Sequence, residues 1–118
     1  MKFLWATLSV SNFEASLDFW TKIVGLPLQR TMTPPGMKIA FLGQGETQVE
    51  LIWDSRKEKI PVTKDFSLGF EVKDVDLAIK ELQSQGVEIH GPFAPNPAIR
   101  FFYISDPDGW QVQFVQSA

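Results

Sequence analysis

Glu50 is the residue of this sequence with the clearest capacity for chemistry. It stands between Val49 and Leu51 in a short apolar segment that carries no other charge. A carboxylate in such surroundings can pair with a cationic ligand, or it can remove a proton as a general base. This makes Glu50 the candidate catalytic residue, while a plain surface glutamate in an edge strand remains the alternative.

The supply of other reactive side chains is small. The chain of 118 residues has one histidine, His90, and no cysteine. Disulfides, thiolate nucleophiles and cysteine-based zinc sites are therefore excluded. A metal site would depend on carboxylate and amide oxygens with at most one imidazole. For His90 we expect a structural role or a place at the solvent edge.

Aromatic residues make up 13% of the chain, and most are expected to fill a core. A few can line a pocket and stack on a planar ligand. The net charge of −3 argues against nucleic acid as a partner and weakly favours neutral or cationic small molecules. No apolar run approaches the roughly 20 residues of a membrane span, and the N-terminus lacks the pattern of a secretory signal. We therefore expect a cytoplasmic protein without a membrane partner.

The chain reads as two similar halves. The first predicts a helix near 12–24, capped by Ser11 or Asn12, among extended segments at 3–10, 27–30, 38–42 and 48–53. The second predicts a helix near 74–85, capped by Asp74, among extended segments at 66–72, 87–90, 99–105 and 111–116, with a proline-rich loop at 91–97. Residues 54–65 are predicted to be a linker.

The two halves correspond at an offset of 62 residues, which places Ser67 at the position of Trp5 and Arg100 at that of Lys38. One extra residue in the last turn makes Gln113 the counterpart of Glu50. The pattern predicts an α+β fold of two β-α-β-β-β modules, 1–53 and 66–118, within a single domain of residues 1–118. A module of this size leaves one sheet face unpaired, so pairing of modules within or between chains is expected.

Strand alternation predicts which side chains lie on the sheet face away from each helix. This face mixes polar and aromatic groups, as expected for a ligand cavity. Its predicted members are Trp5, Thr7, Ser9, Glu50, Ser67, Glu71, Gln111 and Gln113. The alternation does not decide whether Lys38 and Arg100 also point to this side.

Two segments carry a resemblance to a known family. Residues 10–26, VSNFEASLDFWTKIVGL, resemble the first helix of glyoxalase-type proteins, and residues 106–114, DPDGWQVQF, resemble their closing hairpin. The whole chain is similar to the vicinal oxygen chelate superfamily, which includes glyoxalase I, extradiol dioxygenases, fosfomycin-modifying enzymes and bleomycin-binding resistance proteins. The resemblance implies a curved, cup-like mixed sheet, and a homodimer whose cavity is built from both chains.

The resemblance also implies where a metal would bind in the metal-dependent members. Their ligand positions fall on Trp5, Glu50, Ser67 and Gln113, where glyoxalase I has histidine or glutamine, glutamate, histidine and glutamate. Only Glu50 matches well, and Gln113 is a weak oxygen donor. Because an indole N–H only donates and serine is a poor ligand, we predict no cofactor and no tightly bound divalent metal.

Three functions stay open at this point. The expected one is a metal-free small-molecule-binding protein of the glyoxalase/bleomycin-resistance type, which sequesters a planar or cationic ligand in an aromatic-lined cavity. Its ligand contacts would be Trp5, Thr7, Glu50, Ser67, Gln111 and Gln113. The alternatives are a lyase, isomerase or oxidoreductase of the glyoxalase or dioxygenase type with a degenerate or altered metal site, and a purely structural or regulatory dimerisation module. Because histidine ligands are missing at Trp5 and Ser67, binding without turnover is favoured over an enzymatic function.

Overall fold

The computed structural model describes residues 1–117 of the chain. They form two compact units, of which the first is Met1–Pro61 and the second begins at Val62. This boundary falls within the predicted linker 54–65. Among the described residues, no helix has the length and apolar character that crossing a membrane requires.

The first unit contains one four-stranded mixed sheet. Its elements are β1 (Trp5–Ser9), α1 (Phe13–Asp18), a π-helical turn (Phe19–Ile23), β2 (Leu28–Met32), β3 (Met37–Leu42) and β4 (Gln48–Asp54). The strand order is β1-β4-β3-β2, with β1 parallel to β4 and the other pairs antiparallel. Register places Thr7 opposite Glu50, and Phe41 on the other side of Glu50.

The helix of the first unit begins at Asn12, whose side chain accepts a hydrogen bond from the Ala15 N–H at 3.0 Å. This confirms one of the two predicted caps. The predicted continuous helix is wrong in one respect, because α1 gives way to a π-helical turn at Phe19. Trp20, which lies in this turn, belongs to the core with 0% exposure, as do the strand residues Leu8 and Leu51. Each fully buried leucine contributes about 1.5–3 kcal/mol to stability.

The second unit repeats this arrangement. Its elements are β5 (Ser67–Glu71), α2 (Val75–Ser84), β6 (His90–Asn96), β7 (Ile99–Ser105) and β8 (Gln111–Ser117). The sheet order is β5-β8-β7-β6, and β5 is parallel to β8. Asp74 caps α2 as predicted, accepting from the Leu77 N–H at 3.1 Å.

One ion pair between helix and sheet recurs in both units. Lys38 Nζ lies 3.4 Å from Glu14 Oε1, and Arg100 Nη2 lies 3.0 Å from Asp76 Oδ1. Both members of the second pair stand 62 residues after their counterparts in the first. The predicted α+β fold class of two repeated β-α-β-β-β modules is therefore confirmed.

The predicted loop at 91–97 is wrong, because most of this segment forms β6. β6 lies at the edge of its sheet and pairs only with β7. An edge strand tolerates Pro92 and Pro95, since proline removes a donor that the sheet does not need on its outer side. The register with β7 shifts on both sides of Phe93, so the pairing is irregular.

Candidate functional site

The candidate site lies on the sheet face turned away from the helix, which we call the distal face. In the first unit its direction follows from Lys38, whose Nζ lies 6.0 Å from the Phe13 ring centroid in α1 and therefore marks the helix side. Alternation then places Phe41 of β3 on the distal face. Cross-strand register adds Glu50, Trp5 and Thr7 to the same face.

Glu50 is held at the centre of this face. Its side chain belongs to a residue only 8% exposed, and its Oε1 accepts a hydrogen bond from Thr7 Oγ1 at 2.5 Å. That length is typical of a hydroxyl donating to a charged oxygen. No ion pair to Glu50 and no second hydrogen bond to its carboxylate occurs within residues 1–117. A buried carboxylate is thus left with a single neutral partner.

Two aromatic rings and one guanidinium lie on the same face as this carboxylate. The Trp5 ring meets Phe41 edge-on at 5.1 Å between centroids, and the Arg30 guanidinium lies 4.2 Å from the Phe41 centroid. Trp5 remains 39% exposed. The arrangement offers an accessible indole beside a buried negative charge, which suits stacking combined with charge recognition.

The distal face of the second unit carries amides. Val75 N–H donates to Gln116 at 2.7 Å, which marks the helix side, so Gln111 and Gln113 of β8 lie on the opposite side. Gln113 Nε2 donates to the Tyr103 hydroxyl at 3.3 Å. Gln111 Nε2 donates to Ser105 Oγ at 2.9 Å. Ser67 of β5 is exposed opposite Gln111 in the register.

The structure therefore groups the predicted site residues by unit. Trp5, Thr7 and Glu50 lie together on β1 and β4, while the other three lie together on β5 and β8; these are Ser67, Gln111 and Gln113. Their roles as ligand contacts remain predictions. Lys38 and Arg100, whose direction the sequence left open, both point to the helix side and pair with acidic residues there.

Three neighbours of the site were missed by sequence reasoning: Phe41, Arg30 and Tyr103. Phe41 and Tyr103 lie on strands whose alternation was ambiguous because they run through apolar and aromatic residues. The antiparallel registers of β3 with β4 and β7 with β8 place them beside Glu50 and Gln113. The direction of Lys38 toward the helix would have been the signal that resolves Phe41.

Two other carboxyl groups differ from Glu50 because each is paired with arginine. The Arg56 side chain, with help from its backbone N–H, lowers the pKa of Asp54 from 3.8 to about 2. Bidentate hydrogen bonding by Arg100 lowers the pKa of Asp76. These carboxylates already have strong cationic partners and are poor candidates for recognising a ligand.

The side chains at the family's metal positions do not fit a divalent transition ion. Trp5 has no acceptor atom, Ser67 offers a neutral hydroxyl, and Gln113 offers at most its amide oxygen. Glu50 alone is anionic, and its Oε1 is occupied by Thr7. Within residues 1–117, no three His, Cys, Asp or Glu side chains come together as a potential metal site. One carboxylate with one amide falls short of the three or four donors that such ions require.

Comparison with known proteins gives consistent results. A family model described as the Glyoxalase/Bleomycin resistance protein/Dioxygenase superfamily matches residues 2–114. A lactoylglutathione lyase of Neisseria meningitidis serogroup A is 30% identical over 126 aligned positions, covering 98% of this chain and 91% of the relative. The crystal structure of TnmS3, an antibiotic binding protein from Streptomyces sp. CB03234, is similar with a TM-score of 0.79 and 24% identity, covering 100% of this chain and 97% of that one. A glyoxalase I mutant from Zea mays is similar with a TM-score of 0.86 and 24% identity, over 99% of this chain and 45% of that one.

Proposed function

Because the chain belongs to the glyoxalase/bleomycin resistance protein/dioxygenase superfamily, we propose that it is a metal-free protein that binds and sequesters a planar or cationic small molecule. The observation that carries this proposal is the buried Glu50 carboxylate, whose only hydrogen-bond partner within residues 1–117 is the Thr7 hydroxyl. A ligand cation would supply the ion pair that Glu50 does not form within residues 1–117, where Arg30 lies against Phe41 instead.

Electrostatics supports a charged ligand at this position. Burying an unpaired carboxylate destabilises a fold, because the hydration that it loses is worth several kcal/mol. One hydrogen bond from a hydroxyl returns only about 1.5–3 kcal/mol. Glu50 is shielded from water, and opposite charges attract more strongly in such a site than in water. A cationic group on the ligand would therefore gain from pairing with Glu50.

The aromatic surroundings favour a flat ligand. Trp5 is 39% exposed, and its ring contacts Phe41 edge-on with 5.1 Å between the centroids. A planar cation could stack on the indole while its charge meets Glu50. We assign Thr7 the task of orienting the carboxylate. Ser67, Gln111 and Gln113 are retained as proposed polar contacts for a ligand on the distal face of the second unit, considered by itself.

The test begins with a thermal-shift screen of aromatic cations, because a specific ligand raises the melting temperature by mass action. Proflavine, a planar tricyclic cation, is then titrated by fluorescence anisotropy against the parent, Glu50→Gln and Trp5→Ala. Glu50→Gln should weaken binding at least tenfold, and Trp5→Ala should cost about 1–3 kcal/mol. Glu81→Gln, an equal change at an exposed glutamate of α2, should leave binding unchanged. Equal affinity of all four proteins for every cation found in the screen would refute the proposal.

The second candidate is a lyase, isomerase or oxidoreductase with an altered metal site, in which Glu50 acts as general base. The 30% identity to a lactoylglutathione lyase supports this alternative. It predicts lactoylglutathione lyase activity, loss of that activity in Glu50→Gln, and a metal content near one per chain. Binding without turnover, and without a metal, would favour sequestration.

We further propose that the protein is a homodimer of the cytoplasm. Large apolar side chains are exposed in the single chain, among them Phe3 at 66%, Leu4 at 51% and Phe66 at 41%. Exposed apolar side chains of this size favour association. Analytical ultracentrifugation at micromolar concentration should give twice the chain mass, and a monomer mass would contradict the dimer.

A further inference from the structure

A row of paired side chains crosses the distal face of the first unit. Thr7 is paired with Glu50, and Glu50 is paired with Phe41 on its other side. Phe41 is paired in turn with Arg30 of β2. Paired residues of neighbouring strands point to the same side of a sheet. The row therefore begins with a hydroxyl and a carboxylate, continues with a phenyl ring and ends with a guanidinium.

Glu50 and Arg30 are two strands apart in this row. Neighbouring strands lie about 4.8 Å apart, so the backbones of these two residues are separated by about 10 Å. The Arg30 guanidinium lies 4.2 Å from the Phe41 ring centroid. This contact directs the positive charge inward over β3, although β2 is an edge strand whose other side is open. The two opposite charges thus flank the middle of the face.

Arg30 is held in place while its charge stays available. Phe41 is only 2% exposed, and a cation over an aromatic face is attracted by the electrons of the ring. Arg56 pairs with Asp54, whereas no acidic side chain within residues 1–117 pairs with Arg30. Residues 28–42, which span β2 and β3, contain no acidic residue. The exposed guanidinium can therefore accept an anionic partner from solution.

The two charges impose different demands on a ligand. A cationic group that pairs with Glu50 comes within about 10 Å of the like charge of Arg30, which weakens the binding of a simple cation. A carboxylate on the same ligand offsets this repulsion and gains a charge-assisted contact with the planar fork of the guanidinium. A ligand that carries both charges therefore fits this face better than a ligand with a positive charge alone.

We propose that the ligand of this site is a planar aromatic zwitterion, whose cationic group meets Glu50 and whose carboxylate meets Arg30. Arg30 is then the residue that selects zwitterions over simple cations. The inference rests on the proposed function, because it assumes that Glu50 pairs with a ligand cation. It narrows the ligand class from planar or cationic molecules to planar molecules that carry both charges.

Rhodamine 110 and its methyl ester, rhodamine 123, form a matched pair of probes. Both contain the same flat xanthylium cation, but the carboxylate that is free in rhodamine 110 is esterified in rhodamine 123. Each dye is titrated with the full chain and followed by fluorescence anisotropy. The parent should bind rhodamine 110 about fivefold more tightly than rhodamine 123. The ratio is modest because an exposed guanidinium is screened by solvent, and it should shrink when the salt concentration is raised to about 0.5 M.

Substitution of Arg30 tests the source of this preference. Arg30→Gln should remove it by weakening rhodamine 110 and tightening rhodamine 123, because the change removes an attraction and a repulsion together. A residue that served only the fold would shift both affinities in the same direction. Arg30→Lys keeps the charge without the planar fork and should retain a smaller preference. The control is Lys22→Gln, which removes an equal charge from a 73% exposed side chain in the π-helical turn and should leave the preference unchanged.

The outcomes distinguish this inference from the proposed function. If Glu50→Gln weakens both dyes but the parent binds them equally, the site takes simple cations and the zwitterion class is wrong, while the proposed function stands. A preference that persists in Arg30→Gln, or that Lys22→Gln also abolishes, would overturn the role of Arg30. Absence of saturable binding of rhodamine 110 would overturn the zwitterion class as well. Unchanged affinity for both dyes in Glu50→Gln would refute the proposed function, and this inference with it.

Discussion

Replacing Glu50 by glutamine removes a buried negative charge and leaves almost everything else in place. The glutamine has nearly the same volume, and its Oε1 can still accept from the Thr7 hydroxyl that now lies 2.5 Å from the carboxylate. The variant therefore isolates the cost of the charge. If the Glu50 carboxylate serves ligand binding and not folding, Glu50→Gln should not lower the free energy of unfolding.

The expected magnitude follows from two opposing contributions. A hydrogen bond to a charged acceptor is worth about 1.5–3 kcal/mol and one to a neutral acceptor about 0.5–1.5 kcal/mol, so the variant loses about 1–1.5 kcal/mol. Removing a buried ion returns several kcal/mol of desolvation cost. The free energy of unfolding should therefore stay the same or rise by up to about 2 kcal/mol, with a melting temperature higher by about 4 °C per kcal/mol.

The assay is urea unfolding of the parent, Glu50→Gln, Thr7→Val and the double variant. Thr7→Val should cost about 1–3 kcal/mol in the parent, because it leaves the buried carboxylate without its donor, and less in the Glu50→Gln background. Glu71→Gln should change the free energy of unfolding by less than about 0.5 kcal/mol, as surface substitutions usually do. A loss of more than about 2 kcal/mol in Glu50→Gln would make Glu50 a structural residue and refute the reasoning.

Three further predictions concern other parts of the chain. Asp54 should titrate with a pKa of about 2 by NMR, and Arg56→Gln should raise this pKa toward 3.8. Because the pKa of Asp54 is lowered in the folded state, its pairing with Arg56 stabilises the fold above about pH 4. This contribution is lost as the pH falls through about 2. Gly91→Ala should lower the free energy of unfolding by about 1–3 kcal/mol. Gly91 and Gly86 both have positive φ, but an added Cβ would lie 3.1 Å from the Phe93 ring at Gly91 and would meet nothing within 4 Å at Gly86. Gly86→Ala should therefore cost less, and equal losses would contradict the crowding at Phe93. Elemental analysis of protein purified without chelator should find well under one transition metal per chain, and a stoichiometric metal lost in Glu50→Ala would overturn the assignment.

Much of the architecture could be predicted because the helix-capping residues and the 62-residue repeat indicate the same order of helices and strands. Asn12 and Asp74 cap their helices through side-chain chemistry that the sequence displays directly. The offset of 62 residues was readable from the chain and reappears in the ion pairs of Lys38 and Arg100. The π-helical turn was not predictable, because its apolar residues have the same spacing as those of an α-helix.

The site was predicted less completely because its neighbours depend on sheet register. Trp5, Thr7 and Glu50 could be assigned to one face by alternation within their own strands. The contact of Phe41 and Arg30 with that group depends on the antiparallel pairing of three strands, which no local pattern specifies. Strand β6 was missed because Pro92 and Pro95 indicated a loop, whereas the edge of a sheet accommodates them.

The alternation of the strands divides the chain into two sets of residues with different freedom to change. Residues that face the helices, together with the pairs Glu14–Lys38 and Asp76–Arg100, hold each unit together. Exposed or half-exposed residues on the other face, such as Trp5 and Gln111, contribute little to that packing. A new ligand specificity could therefore arise, by evolution or by design, through substitutions on one face that leave the folding of both units intact.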